Sequence, residues 1–292
     1  MKPFSFLNDG TGAAPRLQCG HTFWNLERLP FNAPVEWTLG EKMRRVKDAG
    51  FAHIECWIGD DERGHTVVQE AQKNGLHLAL GHRPTSVEGT QETVRFAQKF
   101  GAKWVLCQPA SAFHPLEEVV DIVRAGSELA AELGLNYFVE THRNNFTETI
   151  PQTLRLIEAV PDIAITADFS HFVVVGEFYG WAGEGAVDRM RSIIERVAHV
   201  HGRISNGEQV QVDVGDGEDV SEGTPAGLFF ELWRECFASW RKRAQPGDVL
   251  PFSSELGPPR YAITTLEGLE ISDRWQQSLV MREIAQSAWD AV

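Results

Sequence analysis

Four residues far apart in this chain share one local setting. Glu140, Asp168, His201 and Glu255 each close a short run of β-branched, aromatic or small apolar residues, the composition of a buried strand. The clearest run is Leu135 to Asn145, LNYFVETHRNN. Leu135, Tyr137 and Val139 alternate there with Asn136, Phe138 and Glu140, and strand side chains alternate between faces, so Glu140 and His142 project to the same side. A carboxylate and an imidazole at a strand tip suit metal binding or proton transfer. The plain alternative is a Glu–Arg pair and a hydrogen-bonded histidine. Three later runs that end in the same way favour the chemical reading. Three carboxylates and one imidazole, without a thiolate, make an oxygen-rich set for one divalent ion. Such a set does not choose among Mn²⁺, Mg²⁺, Co²⁺ and Zn²⁺.

Further polar residues surround these four. His171 lies three residues beyond Asp168, in the segment DFSH. His199, His201 and Arg203 alternate and so share a face; His201 is nearer the tip and is the expected ligand, while His199 is expected deeper. Arg203 offers a planar fork to a substrate oxygen or carboxylate, or pairs one of the acids. His82 and Arg83 end an earlier strand, and Trp57 ends the one before it. His82, His142 and Trp57 are candidates for substrate contact, and Glu55 is a further site candidate.

The elements that must position these residues alternate along the chain. Strands are expected at Cys19–Trp24, Phe51–Ile58, Leu76–Leu80, Ala102–Cys107, Leu135–Glu140, Asp162–Asp168, Val197–Arg203 and Val249–Glu255. Helices are expected at Glu36–Gly50, Thr66–Asn74, Thr90–Phe100, Pro115–Leu133, Glu148–Val160, Glu184–Arg196, Ala226–Lys242 and Asp273–Trp289, with Gly50, Gly75, Gly101 and Gly134 as stops. Residues 1–18 are expected to be a lead-in. Eight β–α units imply parallel pairing through right-handed crossovers and predict a closed (β/α)8 TIM barrel, a single domain over residues 1–292. An open doubly wound sheet is the alternative, but it carries a glycine-rich first turn, and no GxGxxG follows the first strand here. In a barrel the C-terminal strand ends share one face, which holds the active site.

Composition narrows the functional classes. The 27 basic and 41 acidic residues leave a formal net charge of −14, which disfavours nucleic acid as a partner. No apolar window approaches the roughly 18 residues of a membrane span, and MKPFSFLNDG lacks a signal peptide's apolar run. Cys19, Cys56, Cys107 and Cys236 have no CxxC spacing and read as thiols of a reducing compartment. The expectation is a cytoplasmic protein with a small-molecule partner.

ETHR at residues 140–143, DFSH at 168–171, HVHGR at 199–203 and SELG at 254–257 resemble the sugar phosphate isomerase/epimerase superfamily. Its members have the xylose-isomerase-like TIM barrel and include ketose 3-epimerases, hydroxypyruvate isomerase, inosose dehydratase and endonuclease IV. The resemblance spans nearly the whole chain in order and spacing. It implies Glu140, Asp168, His201 and Glu255 as metal ligands, Glu140 and Glu255 as the acid/base pair, and His171 and Arg203 on substrate oxygens. One departure is Ile204, where many members carry an aspartate. The loop beyond it, Asn206 to Gly223, is acidic and would repel a phosphate, so an unphosphorylated sugar or polyol is expected.

An ion chelating a hydroxy-ketone stabilises the enediolate formed on deprotonation. Two glutamates flanking the carbon give epimerisation, and one shuttling between carbons gives aldose–ketose isomerisation. A lyase or dehydratase acting on a keto-sugar or keto-polyol uses the same ligands and stays open. Endonuclease IV-like hydrolysis needs more histidine ligands than His82, His114, His171 and His201 readily supply. In the apolar segment His171 to Trp181, Phe178, Tyr179 and Trp181 either stack on a sugar or bury against a second subunit of a homo-oligomer, with Gly176, Gly180 and Gly183 as hinges of a lid.

Overall fold

The computed structural model describes residues 6–178 and 185–292. Its elements are β1 (Leu7–Asn8), β2 (Arg16–Thr22), α1 (Leu39–Asp48), β3 (His53–Cys56), α2 (Glu62–Lys73), β4 (His77–His82), α3 (Val87–Lys99), β5 (Trp104–Cys107) and α4 (Leu116–Glu132). They continue with β6 (Asn136–Glu140), α5 (Ile150–Ala159), β7 (Ala164–Ala167), α6 (Phe169–Val175), α7 (Ala186–Ile194), β8 (Val197–Gly202), α8 (Pro225–Arg241), β9 (Asp248–Ser254) and α9 (Arg274–Asp290). Strands β2 to β9 pair in sequence order, all parallel, and β9 pairs back onto β2 from Arg16↔Val249 to His21↔Ser254. That closure makes an eight-stranded barrel and excludes the open sheet.

Local signals explain the element ends. Thr38 and Glu41 form a reciprocal capping box on α1, and Asp61, Ser86, Thr149, Thr224 and Asp273 each accept a backbone N–H at a helix start. Gly50 and Gly134 adopt φ of 84° and 73° behind α1 and α4, a conformation that other residues resist. Asp61 starts α2 at Glu62, a turn before the expected Thr66, because its carboxylate caps Gly64 N.

Three expectations need correction. The lead-in is not structureless: β1 pairs antiparallel with β9, and β2 begins at Arg16 rather than Cys19 and ends at Thr22. The segment after Asp168 is a short helix, α6, whose Phe169, Phe172 and Val173 are buried; much of its apolar content serves packing rather than a lid. Of the expected lid, Tyr179, Gly180, Trp181 and Gly183 lie outside the described residues, as does Glu184, where a helix was expected to begin.

Register sorts the strand residues into two faces. Glu55 pairs with Ala79, Ala79 with Trp104, Leu106 with Phe138, Glu140 with Thr166, and His201 with Ser253. Side chains alternate, so these positions and those two residues away point into the barrel. The lower interior holds Ala79, Trp104, Phe138, Ala164 and Ala198, with Phe6 and Leu7 packed against them. Above it comes a polar layer of His53, Thr166, His199 and Ser253, all fully buried. The carboxylates lie above that, at the C-terminal mouth. Outward residues such as Val105, Cys107, Tyr137, Val139 and Ile165 join the larger core between strands and helices.

Candidate metal centre

Donor atoms of Glu140, Asp168, His201 and Glu255 all lie within 4.8 Å of one another, and the four residues are buried. They come from β6, the end of β7, β8 and the end of β9. His201 Nδ1 lies 2.5 Å from Glu255 Oε2 and 3.4 Å from Glu140 Oε1. Glu140 Oε1 has no hydrogen-bond partner, and Glu255 Oε2 is met by this ring and by Arg203. An unpaired buried acceptor costs about 1–3 kcal/mol, more when charged. Three buried carboxylates converging with an imidazole nitrogen are a set that a divalent cation would satisfy, so the residues present fit such an ion.

Each ligand candidate is held from behind. Gln108 Nε2 donates to Glu140 Oε2 at 2.7 Å. Asp168 Oδ1 accepts from the backbone N and hydroxyl of Ser170 at 3.0 and 2.5 Å, while its Oδ2 accepts from Arg203 Nη2 at 2.8 Å. Arg203 Nη2 is also 2.8 Å from Glu255 Oε2. Arg203 is fully buried, so its pairing role is realised here, while its Nη1 has no partner.

Charge shapes the group. Burial pushes the Glu140 carboxyl up from its ordinary range, opposed by His201. Burial pushes Asp168 up as well, with Arg203 opposing. For Glu255 burial also acts upward, but His201 and Arg203 outweigh it and bring the carboxyl down to about 2. Burial acts to lower His201, yet Glu255, Glu55 and Glu140 hold it well above its ordinary value. Burial drives His142 down to about 4, with Glu255 and Asp168 opposing only in part, and drives His171 well below its ordinary value. Both rings are neutral at pH 7 and lie tilted by 50°, with centroids 4.0 Å apart. Neither nitrogen of His171 has a hydrogen-bond partner, although Nε2 is 3.5 Å from Asp168 Oδ2. Glu140, His142 and His171 form a second group within 4.8 Å.

Most, but not all, of the expected site residues come together. His142 and His171 flank the four candidate ligands. Trp57 reaches the mouth because Gly81, the inward residue of the neighbouring strand, has no side chain; a Cβ there would overlap the indole. Arg83 stacks over Trp57 with its guanidinium 5.1 Å from the ring. His199 sits one layer below His201, as expected. His82 is not brought to the cluster. It occupies the outward register position beside Cys107, and its Nε2 lies 3.3 Å from the Tyr137 hydroxyl, which also bonds Thr90 of α3.

Sequence reasoning missed Gln108, Trp24 and Tyr261. Gln108 continues the inward alternation Trp104, Leu106, Gln108, a signal that was available. Trp24 and Tyr261 lie on separate loops, meet edge-to-face at 5.2 Å, and bring Tyr261 to 4.8 Å from the Arg203 guanidinium. No local pattern pairs them. Arg143 stacks on the same Tyr261 ring at 4.8 Å. Among the described residues no helix is long and apolar enough to cross a membrane.

A family model described as xylose isomerase-like TIM barrel matches residues 43–230. The 3-dehydroshikimate dehydratase of Bacillus anthracis is 32% identical over 88 residues, which span 29% of this chain and 29% of that protein. A structure of L-ribulose 3-epimerase superposes with a TM-score of 0.61 at 14% identity, covering 94% of this chain and 95% of the other. A xylose isomerase-like TIM barrel protein from Mycobacterium smegmatis, in complex with magnesium, superposes with a TM-score of 0.58 at 13% identity over 97% and 98%.

Proposed function

The chain belongs to the xylose isomerase-like TIM barrel family, and from that premise we propose that it is a divalent-metal-dependent isomerase or epimerase of a small, unphosphorylated sugar or polyol. The observation that carries this reading is the convergence of Glu140 Oε1 and Glu255 Oε2 on one buried point beside His201 Nδ1, with Asp168 in the same group. Glu140, Asp168, His201 and Glu255 would hold the ion. Bound there, Mn²⁺, Mg²⁺, Co²⁺ or Zn²⁺ supplies Lewis-acid polarisation of neighbouring carbonyl and hydroxyl oxygens.

The protein groups divide the proton work. Glu255 is kept ionised by His201 and Arg203 and accepts a proton from the carbon beside the carbonyl. Glu140, whose carboxyl burial pushes upward, returns one. Two carboxyls set apart by their surroundings form an acid/base pair. His171 and the unpaired Nη1 of Arg203 offer hydrogen bonds to substrate oxygens, and Trp57, Trp24 and Tyr261 supply faces for C–H surfaces and exclude water. The exposed acids Glu208, Asp213, Asp216, Glu218, Asp219 and Glu222 oppose a phosphorylated substrate. A cytoplasmic setting accords with four free cysteines.

A second reading, a lyase or dehydratase acting on a keto-sugar or keto-polyol, draws support from the segment shared with 3-dehydroshikimate dehydratase and from the neutral His142–His171 pair. A neutral imidazole can take up the proton removed from carbon and then deliver one to the departing hydroxyl, which leaves as water. Mass spectrometry of substrates recovered from D₂O tests both readings across a panel of ketoses, keto-polyols and cyclic hydroxy-ketones. Isomerisation or epimerisation incorporates deuterium at unchanged composition; elimination removes the mass of water. Glu140→Gln and Glu255→Gln should each lower kcat by about 10²–10⁴, and incorporation that persists unchanged in both variants would remove the glutamates from the chemistry.

A further inference from the structure

Beneath the four candidate ligands lies a buried carboxylate that the mechanism above does not use. Glu55 of β3 is fully buried. Its Oε2 is 3.1 Å from His201 Nε2, its Oε1 is 3.1 Å from His199 Nε2, and Oε1 also accepts from the Ser253 hydroxyl. Among the described residues no lysine or arginine pairs with it. An isolated buried carboxylate is costly, and the partners that hold this one are the His201 and His199 rings and the Ser253 hydroxyl. On its far side His201 turns Nδ1 toward Glu140 and Glu255.

We propose that Glu55 is a positioning residue that fixes the tautomer and ring orientation of His201, leaving Nδ1 free to bind the divalent ion. The proposal rests on the metal-site reading above. A carboxylate only accepts, so His201 Nε2 must carry the hydrogen that points at Glu55. When an ion displaces the proton on the other nitrogen, the lone pair that faces the mouth is that of Nδ1. Carboxylate–imidazole–ion chains of this kind raise the basicity of the ligand nitrogen.

Glu55 is itself held in place. The Ser253 hydroxyl has one hydrogen and gives it to Glu55, and it lies 2.7 Å from His53 Nε2 and 3.0 Å from His199 Nε2. His199 Nδ1 is 3.0 Å from Thr166 Oγ1. His53 fits at this level because Gly20 of β2 has no side chain; a Cβ there would overlap the imidazole. Ligand-like atoms of His53, Glu55 and His199 come within 4.8 Å of one another. The Ser253 hydroxyl already stands among them, so this lower layer orients His201 rather than binding an ion of its own.

Cobalt(II) binding to the metal-stripped protein tests this, read by calorimetry and by the visible ligand-field spectrum. Wild-type protein is expected to bind one ion per chain with visible bands. Glu55→Gln keeps the volume but offers both a donor and an acceptor, so Nε2–H is no longer enforced. Its cobalt affinity should fall about 10- to 100-fold, with a shifted spectrum. Glu55→Asp keeps the charge but withdraws the carboxylate from Nε2, and should fall in the same direction; it decides the matter should the glutamine variant fail to fold. A merely structural glutamate would change the melting temperature while leaving affinity and spectrum as in wild type, and that result in a folded variant overturns the proposal. Wild-type protein that takes up no cobalt overturns the metal-site reading, and this inference with it.

Discussion

Gln108 donates from Nε2 to Oε2 of Glu140 across 2.7 Å, leaving Oε1 as the one oxygen of that carboxyl without a hydrogen bond. The amide thus decides which oxygen of Glu140 faces the cluster. Replacing Gln108 with Leu removes the donor and frees the carboxyl to rotate. An unsatisfied buried oxygen costs about 1–3 kcal/mol of stability, and kcat should fall by about tenfold or more. Steady-state kinetics with a melting curve checks this; a variant that melts lower but turns over at the wild-type rate would show the contact to be structural only.

Arg203 sits between Asp168 and Glu255, 2.8 Å from an oxygen of each. Arg203→Leu leaves two buried acids without that charge, and stability in the presence of a chelator should drop by about 3–5 kcal/mol. Saturating Mn²⁺ should recover part of the loss, since the ion supplies a counter-charge to the same oxygens. Urea unfolding with and without Mn²⁺ measures it. An equal loss in both conditions would count against metal binding at these acids.

Gly81 makes room for the Trp57 ring. In Gly81→Ala the added methyl pushes the indole out of place, with an overpacking cost of about 1–3 kcal/mol. If Trp57 forms a face for the substrate, KM should rise several-fold more than kcat falls. A KM equal to that of wild type in a folded Gly81→Ala protein would remove Trp57 from the binding site.

Acid should begin to destabilise the fold below about pH 6.5, through its buried histidines. Burial holds His21 down to about 4 and His82 down to about 3, against about 6.5 in an unfolded chain. As pH falls through about 6.5 the unfolded chain takes up protons that the folded chain refuses. Their stabilising contribution is therefore complete above pH 6.5 and is lost as pH falls toward 4. Each such histidine contributes a slope of about 1.4 kcal/mol per pH unit in that window. Chemical unfolding at several pH values gives the slope, and His82→Gln should flatten it by about one histidine's share; an unchanged slope would contradict the burial argument.

By itself the sequence determined the alternation of eight strands and eight helices, and with it a parallel barrel, because apolar period and glycine stops are local properties. It also marked Glu140, Asp168, His201 and Glu255, since in a barrel every strand tip opens on the same face and chain order alone then brings them together. Parity within one strand separated His201 from the deeper His199. What local pattern could not decide was how one strand's parity relates to the next, which is fixed only by pairing register. Register turned His82 outward to Tyr137 and Gln108 inward to Glu140, although both end strands in similar polar company. It also set Glu55 behind His201 rather than beside the other candidate ligands. The meeting of Trp24 with Tyr261 joins loops more than two hundred residues apart, and only barrel closure between β9 and β2 makes them neighbours.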